Sequence, residues 1–195
     1  DTINAADGGL TIDPRGLIPT DDAMYTGVPG VWAVGDVTND FQLKHVANAE
    51  AKVAFANIAA SWDGSEESAR VDHTSVPAAV FSHPQVASVG ATEAQLRASG
   101  IPYFVGKRDY AGTAYGWALD DHESFAKVLL DPDGSILGAH ILGPQAASLI
   151  QPLIQAKALG QTATDITDSV YYIHPALTEV VENALLDGLE VIAQA

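Results

Sequence analysis

His174 stands directly before Pro175 and five residues ahead of Glu179, in a chain that contains no cysteine. Histidine is the side chain whose ordinary pKa lies nearest neutral pH, so it is suited to give and take protons. A carboxylate within reach would fix its tautomer and hold the imidazolium form. Proline drives the preceding residue toward extended backbone, which places His174 in a loop ahead of the last helix. Thr178 is positioned to cap that helix, with Glu179 in its first turn, where the dipole favours an acid. The same spacing also fits a plainer reading, in which Glu179 is only a helix-start acid and His174 a surface loop residue. A general acid needs a nucleophile or redox centre to serve, and the chain shows none.

A second candidate is Gly35-Asp36, which stops the apolar run Val31-Trp32-Ala33-Val34. Such a run is expected to be a buried strand with a site at its end. A carboxylate there can accept hydrogen bonds from sugar-like hydroxyls, and glycine lets backbone approach a ligand closely. The helix opening near Lys44 would aim N–H groups and a positive dipole end at an electron-rich atom. A Gly-Asp pair is, equally, an ordinary turn.

Other chemistry is weakly supported. His45, His73, His83, His122 and His140 lack the mutual spacing of metal ligands, so no metal is expected. His140 lies in an apolar strand and reads as a satisfied core or interface residue. The glycines between Gly134 and Gly143 fall inside a hairpin strand, which argues against a phosphate-cradling loop. Tyr110, Tyr115 and Trp117 are expected on one sheet face rather than as a base-stacking platform. No Gly-x-Ser-x-Gly elbow is present, which leaves little for a serine hydrolase.

The elements that would position these residues fall into two parts. Residues 1–60 begin with β-like pieces, Leu10-Thr11-Ile12 and Gly16-Leu17-Ile18, around the turn Asp13-Pro14-Arg15-Gly16. A helix over 45–60 places Val46, Ala47, Val53, Ala54 and Ile58 on one face. These residues are expected to be a sheet fragment whose exposed edges leave it mobile or paired elsewhere. Residues 61–75 are small and polar, a linker.

From Val76 onward strands dominate: 76–81, 103–110, 113–119, and 125–130 with 135–142 around the hairpin signal Asp131-Pro132-Asp133-Gly134. Thr92 caps a short helix ended by Gly100. Helices follow over 145–159, with Pro152 disturbing one turn, over 163–168, and from Val180 to near Gly188. Strands first and helices afterwards imply an α+β domain, an antiparallel sheet with helices on one side. The boundaries are set at 1–70 and 71–195.

Composition bounds the partners. The 195 residues carry 25 acids against 9 bases, a net charge of −16, which disfavours nucleic acid and anionic membranes. A hydrophobic share of 47% is enough for a real core. No apolar run reaches the roughly 18 residues of a membrane span, and the start does not read as a signal peptide. Without cysteine, neither a disulfide nor a thiolate zinc site can form. A cytoplasmic setting is the default expectation.

Taken in order, these segments resemble the flavin- and nicotinamide-dependent disulfide oxidoreductases. The resemblance rests on Val28-Pro29-Gly30-Val31-Trp32-Ala33-Val34-Gly35-Asp36 followed by Leu43-Lys44-His45. It continues through Val76 to Pro84 with Val89-Gly90-Ala91-Thr92-Glu93, and ends on His174-Pro175-Ala176-Leu177-Thr178-Glu179. Within the family, the ending, Ala114-Tyr115-Gly116-Trp117-Ala118 and the run from Leu149 to Ala156 are most similar to the mycothione-reducing branch. The likeness covers about the last two-fifths of a family enzyme.

It implies an end portion of an FAD-binding domain followed by a dimerisation domain that makes a homodimer. Gly35 and Asp36 would meet the ribityl chain of FAD, and backbone at Leu43, Lys44 and His45 its pyrimidine edge. His174 would be proton donor and acceptor in the other subunit's active site, protonating the thiolate that leaves a low-molecular-weight thiol disulfide, with Glu179 orienting it. A cis His174-Pro175 bond is implied as well. The NADPH site and the redox cysteines would lie on other segments, so this chain alone is expected to be inactive. The alternatives are a standalone dimerisation module without activity, or the same part of a dihydrolipoamide dehydrogenase.

Overall fold

The computed structural model describes residues 4–66 and 69–195. Asp1–Ile3, part of the start read above for a signal peptide, and Glu67 and Ser68 of the expected linker lie outside the described residues. The chain divides into two compact units, Asp1–His73 and Thr74–Ala195.

The first unit is built on one helix, α1 (Lys44–Asp63), closed by Gly64 in the left-handed conformation at φ 77°. Its buried stripe is Val46, Glu50, Ala54, Asn57 and Ala60. The expected face is therefore shifted: Ala47, Val53 and Ile58 are only half-buried. The two polar members anchor loops that have no ladder of their own. Asn57 donates to the carbonyls of Ala23 at 3.1 Å and Ala69 at 2.9 Å, and its oxygen accepts from Ala69 N–H at 3.1 Å.

The β-like pieces 10–12 and 16–18 are not strands. The turn between them does form, with Asp13 accepting from the N–H groups of Arg15 and Leu17, both at 2.9 Å. The expected buried strand Val31–Val34 is likewise corrected. Pro29-Gly30 turns the chain just before it and Gly35 adopts φ 77° just after it. The run is thereby confined to one bridge, Tyr25 with Trp32, and stays half-buried.

The second unit is a five-stranded antiparallel sheet in the order β1-β2-β5-β4-β3. Its strands are β1 (Ala78–Val80), β2 (Val86–Gly90), β3 (Phe104–Asp109), β4 (Phe125–Leu130) and β5 (Ile136–Leu142). Register puts Gly106, Val128, Ala139 and Val89 in one row across the sheet. Val89, Val128 and Ala139 belong to the main core, with Leu149, Leu153, Val180, Val181 and Leu185 from the later helices. Those helices are α4 (Ala146–Leu149), α5 (Gln151–Ala158), α6 (Ala163–Ser169) and α7 (Thr178–Ala193).

The next row, Lys127, His140 and Ser88, points the other way by strand alternation. There Lys127 Nζ meets Glu93 Oε1 at 2.9 Å, Glu93 opening α2 (Glu93–Ser99). Thr92 caps α2 in a reciprocal capping box with Gln95, as its spacing predicts. His140 Nε2 lies 3.1 Å from the Ala91 carbonyl, and burial lowers its pKa. It is a satisfied, half-buried residue.

Several boundaries differ from expectation for local reasons. Residues 113–119 form a short helix, α3 (Ala114–Ala118), rather than a strand. Thr113 caps it by accepting from Gly116 N–H at 3.3 Å, a local bond that outweighs the alternating pattern. Tyr110 is fully buried, donating to the Pro144 carbonyl at 3.0 Å, whereas Tyr115 and Trp117 are exposed on α3, so the three aromatics share no sheet face. Pro152 splits 145–159 into α4 and α5 and sits in the first turn of α5, where its missing N–H leaves no bond unmade. Helix α7 passes Gly188 without ending, because that glycine is a crossing point rather than a stop. A Cβ on Gly106 would lie 2.0 Å from the Ala184 carbonyl and 2.5 Å from Gly188 N.

Candidate functional site

The loop 170–177 brings His174 to the start of α7. The ring Nδ1 lies 2.8 Å from Glu179 Oε1, and the other carboxylate oxygen accepts from Ala176 N–H at 3.1 Å. The cap of α7 is Leu177 backbone, not the Thr178 side chain. Glu179, in the first turn, reaches back to the N–H of Ala176 in the loop while it holds the imidazole. The helix-start role and the pairing with histidine, set out above as competing readings, are both realised by one carboxylate. The His174-Pro175 bond is cis.

The two acids at the start of α7 are shifted in opposite directions. The hydrogen bond from His174 and the Ala176 N–H hold the Glu179 carboxyl below its ordinary range. Burial and the Glu179 charge push Glu182, one turn on, above it. Of the two, Glu179 is the acid whose ionised form its surroundings favour. A carboxylate beside Nδ1 favours the tautomer that carries its proton there, with Nε2 facing away from the acid. The His174 side chain is 69% exposed, against 17% for Glu179, so the acid is held in place while the ring faces outward. Beside the loop runs a groove of about 560 Å³ bordered by Gln151, Pro152, Gln155, Tyr171 and Ile173. Tyr171 is fully exposed and Ile173 is 75% exposed.

In the first unit Gly35, Asp36 and the first turn of α1 come together. Gly35 N–H donates to Glu50 Oε2 at 2.6 Å, and the Gly35 carbonyl accepts from Thr38 N–H and the Thr38 hydroxyl, both at 2.8 Å. A Cβ on Gly35 would sit 3.3 Å from the Ala47 Cβ. Asp36 itself is exposed. Helix α1 begins with Leu43 in extended backbone, no side-chain cap and no acid in its first turn. Lys44 Nζ folds along its own helix to Asn48 Oδ1 at 2.7 Å, and the His45 side chain is exposed.

These residues fit part of a flavin site. The glycine at φ 77° permits close approach, the exposed carboxylate can receive hydroxyls, and an uncapped 20-residue helix presents its positive end. Sequence reasoning passed over Glu50 and Asn39, and weighed His73 only as a metal ligand. Asn39 Nδ2 donates to Glu50 Oε1 at 2.7 Å, and His73 Nε2 lies 2.9 Å from the same oxygen. An acid four residues after Val46, on the buried stripe of a helix, was the signal that could have found them.

Among the described residues no cluster of three or more His, Cys, Asp or Glu is arranged to hold a metal. No helix among them is long and apolar enough to cross a membrane.

Comparison with known proteins gives a consistent result. The pyridine nucleotide-disulphide oxidoreductase dimerisation domain matches residues 76–185, and a second pyridine nucleotide-disulphide oxidoreductase model matches residues 1–51. Mycothione reductase of Mycobacterium tuberculosis is 46% identical over 187 residues, covering 95% of this chain and 40% of that protein. Dihydrolipoyl dehydrogenase of Chlamydia muridarum is 37% identical over 180 residues, covering 91% of this chain and 37% of that protein. The chain thus spans about two-fifths of the length of the curated relatives it matches.

Among solved structures, LpdA from Mycobacterium tuberculosis superposes with a TM-score of 0.80 at 21% identity, covering 91% of this chain and 38% of that one. The HOCl-induced flavoprotein disulfide reductase RclA from Escherichia coli gives 0.78 at 22% identity, covering 97% and 41%. Those likenesses establish the fold. With the family match extending across the whole sheet and into α7, the chain belongs to the pyridine nucleotide-disulphide oxidoreductases.

Proposed function

We propose that this chain is the C-terminal portion of an NADPH- and FAD-dependent disulfide reductase of the mycothione-reducing kind. It supplies the homodimer interface and lends His174 and Glu179 to the partner subunit's active site. The observation that carries this reading is the His174 Nδ1 to Glu179 Oε1 contact of 2.8 Å on an outward-facing ring. In this arrangement Nε2 takes up a proton and delivers it to the thiolate that leaves when the substrate disulfide is attacked. The Glu179 carboxylate stabilises the imidazolium between those events. Protonation of the leaving sulfur draws thiol–disulfide exchange forward.

Gly35, Asp36 and the backbone of Leu43, Lys44 and His45 hold the FAD. When bound, it supplies the electron relay between the nicotinamide and sulfur. The nicotinamide site and the reactive cysteines belong to the remainder of the full-length protein, which works in the cytoplasm, and the present chain alone turns nothing over. Identity of 46% to a mycothione reductase against 37% to a dihydrolipoyl dehydrogenase favours the thiol-disulfide substrate over dihydrolipoamide.

The test is rapid kinetics on the full-length protein carrying His174→Ala. Disulfide reduction should fall by about 10²–10⁴, the usual contribution of a positioned acid or base. Flavin reduction by the nicotinamide should change little. Equal losses in both half-reactions would remove the proton-relay role. Turnover of mycothiol disulfide against dihydrolipoamide decides between the substrates, and a colourless full-length product would point to an inactive dimerisation module.

A further inference from the structure

Glu50 is a carboxylate with no exposed surface, set in the middle of α1 among Val46 and Ala54. Burying a charge costs several kcal/mol, and an apolar residue of similar volume would pack there without that penalty. Its surroundings show what the carboxyl group does. Both oxygens are engaged, and the groups that face them are Gly35 N–H, the Asn39 amide and the His73 ring. Asn39 Nδ2 also lies 3.4 Å from the Gly35 carbonyl, which Thr38 grips as well. The peptide groups on either side of Gly35 are therefore fixed, one by Glu50 and the other by Thr38 and Asn39. Asp36 follows directly after those anchors and is exposed.

We infer that Glu50 is the positioning residue of the flavin site. Its carboxyl group, held by Asn39 and His73, sets the Gly35 turn so that Asp36 and the start of α1 are presented together. The inference rests on the flavin reading given above for Gly35 and Asp36. A carboxylate is required because it accepts at every lone pair. Glutamine offers a single acceptor oxygen and turns an N–H toward one of the donors. Asn39 cannot reverse to compensate, since its Oδ1 already accepts from Phe41 N–H at 3.1 Å. His73 reaches the same carboxylate from 23 residues further along the chain.

The experiment is Glu50→Gln in the full-length protein, with flavin affinity measured by titrating apoprotein with FAD alongside the absorption spectrum of the bound flavin. Expected are an affinity about tenfold or more weaker and a shifted flavin band, in line with one buried donor left facing another. A variant with a lowered melting temperature but wild-type flavin affinity and spectrum would overturn the inference, because a purely structural acid predicts that outcome. Should Glu50→Gln fail to fold, Asn39→Ala and His73→Phe each remove one partner of that side chain. Unchanged affinity in both would overturn it equally. Wild-type protein that binds no flavin would instead sink the underlying flavin reading, so the two failures are distinguishable.

Discussion

The proton chemistry of the candidate site comes down to two acids one turn apart with opposite shifts. Glu179 is held below its ordinary range, chiefly by His174, whereas burial lifts Glu182 above it. A depressed acid adds stability that is full above its unfolded pKa, about 4.3, and is lost as the pH falls through the lower folded value. A raised acid works in reverse, its contribution present in acid and lost as the pH rises. Glu179→Gln should therefore lower stability at neutral pH and flatten its decline in acid, whereas Glu182→Gln should raise stability at neutral pH. Urea midpoints measured from pH 3 to 7 on both variants check this, and shifts of the same sign would refute the division of labour. The spacing of His174 and Glu179 made that pair legible, because both partners lie within one loop and one helical turn. The Glu50 cluster was not, since its partners lie 15, 11 and 23 residues away and meet it only through loops. No periodicity reports a contact of that kind.

Elements with strong local signals formed where their residues indicated. The Thr92 capping box and the Asp131–Gly134 hairpin turn are fixed by side chains bonding to nearby backbone, a rule that needs no knowledge of the rest of the molecule. Elsewhere the pattern misled, through a competing local bond in one place and tertiary contact in another. Alternation over 113–119 gave way to a capped helix, and Gly188 proved to be a point of contact inside α7. That contact makes a prediction about packing. The Ala184 carbonyl and Gly188 backbone close over Gly106, whereas a Cβ on Gly188 would meet chiefly the Leu130 side chain, 2.8 Å from its Cδ1. Backbone cannot move aside as a leucine tip can. Gly106→Ala should cost about 3 kcal/mol or more, at or beyond the top of the usual overpacking range. Gly188→Ala should cost less, partly offset by the roughly 1 kcal/mol that alanine gains over glycine in a helix. Chemical denaturation of the two variants ranks them, and equal costs would mean that β3 and α7 do not meet so closely.

For the molecule as a whole, the proposed function requires that the face bearing His174 be covered by a second copy. A monomer would leave Tyr171 and Ile173 in water beside the groove lined by Pro152, although both are large apolar groups. Covering them is favourable at about 25 cal/mol per Å² of apolar surface, but two chains of charge −16 repel each other at long range. Salt screens that repulsion over about 8 Å at physiological ionic strength and leaves the apolar term in place. Association of this chain should consequently strengthen between low and moderate salt, unlike an interface held together by ion pairs. Sedimentation equilibrium at tens of micromolar should show dimer. Ile173→Glu should shift the balance toward monomer by about tenfold or more in Kd, with the far-ultraviolet circular dichroism unchanged, because a buried unpaired carboxylate opposes assembly without touching the sheet. The His174→Ala substitution, which removes a polar ring from the same loop, should move the equilibrium much less. A wild-type chain that stays monomeric throughout this range, or an Ile173→Glu variant that dimerises like wild type, would place the interface elsewhere and leave His174 without a partner subunit to serve.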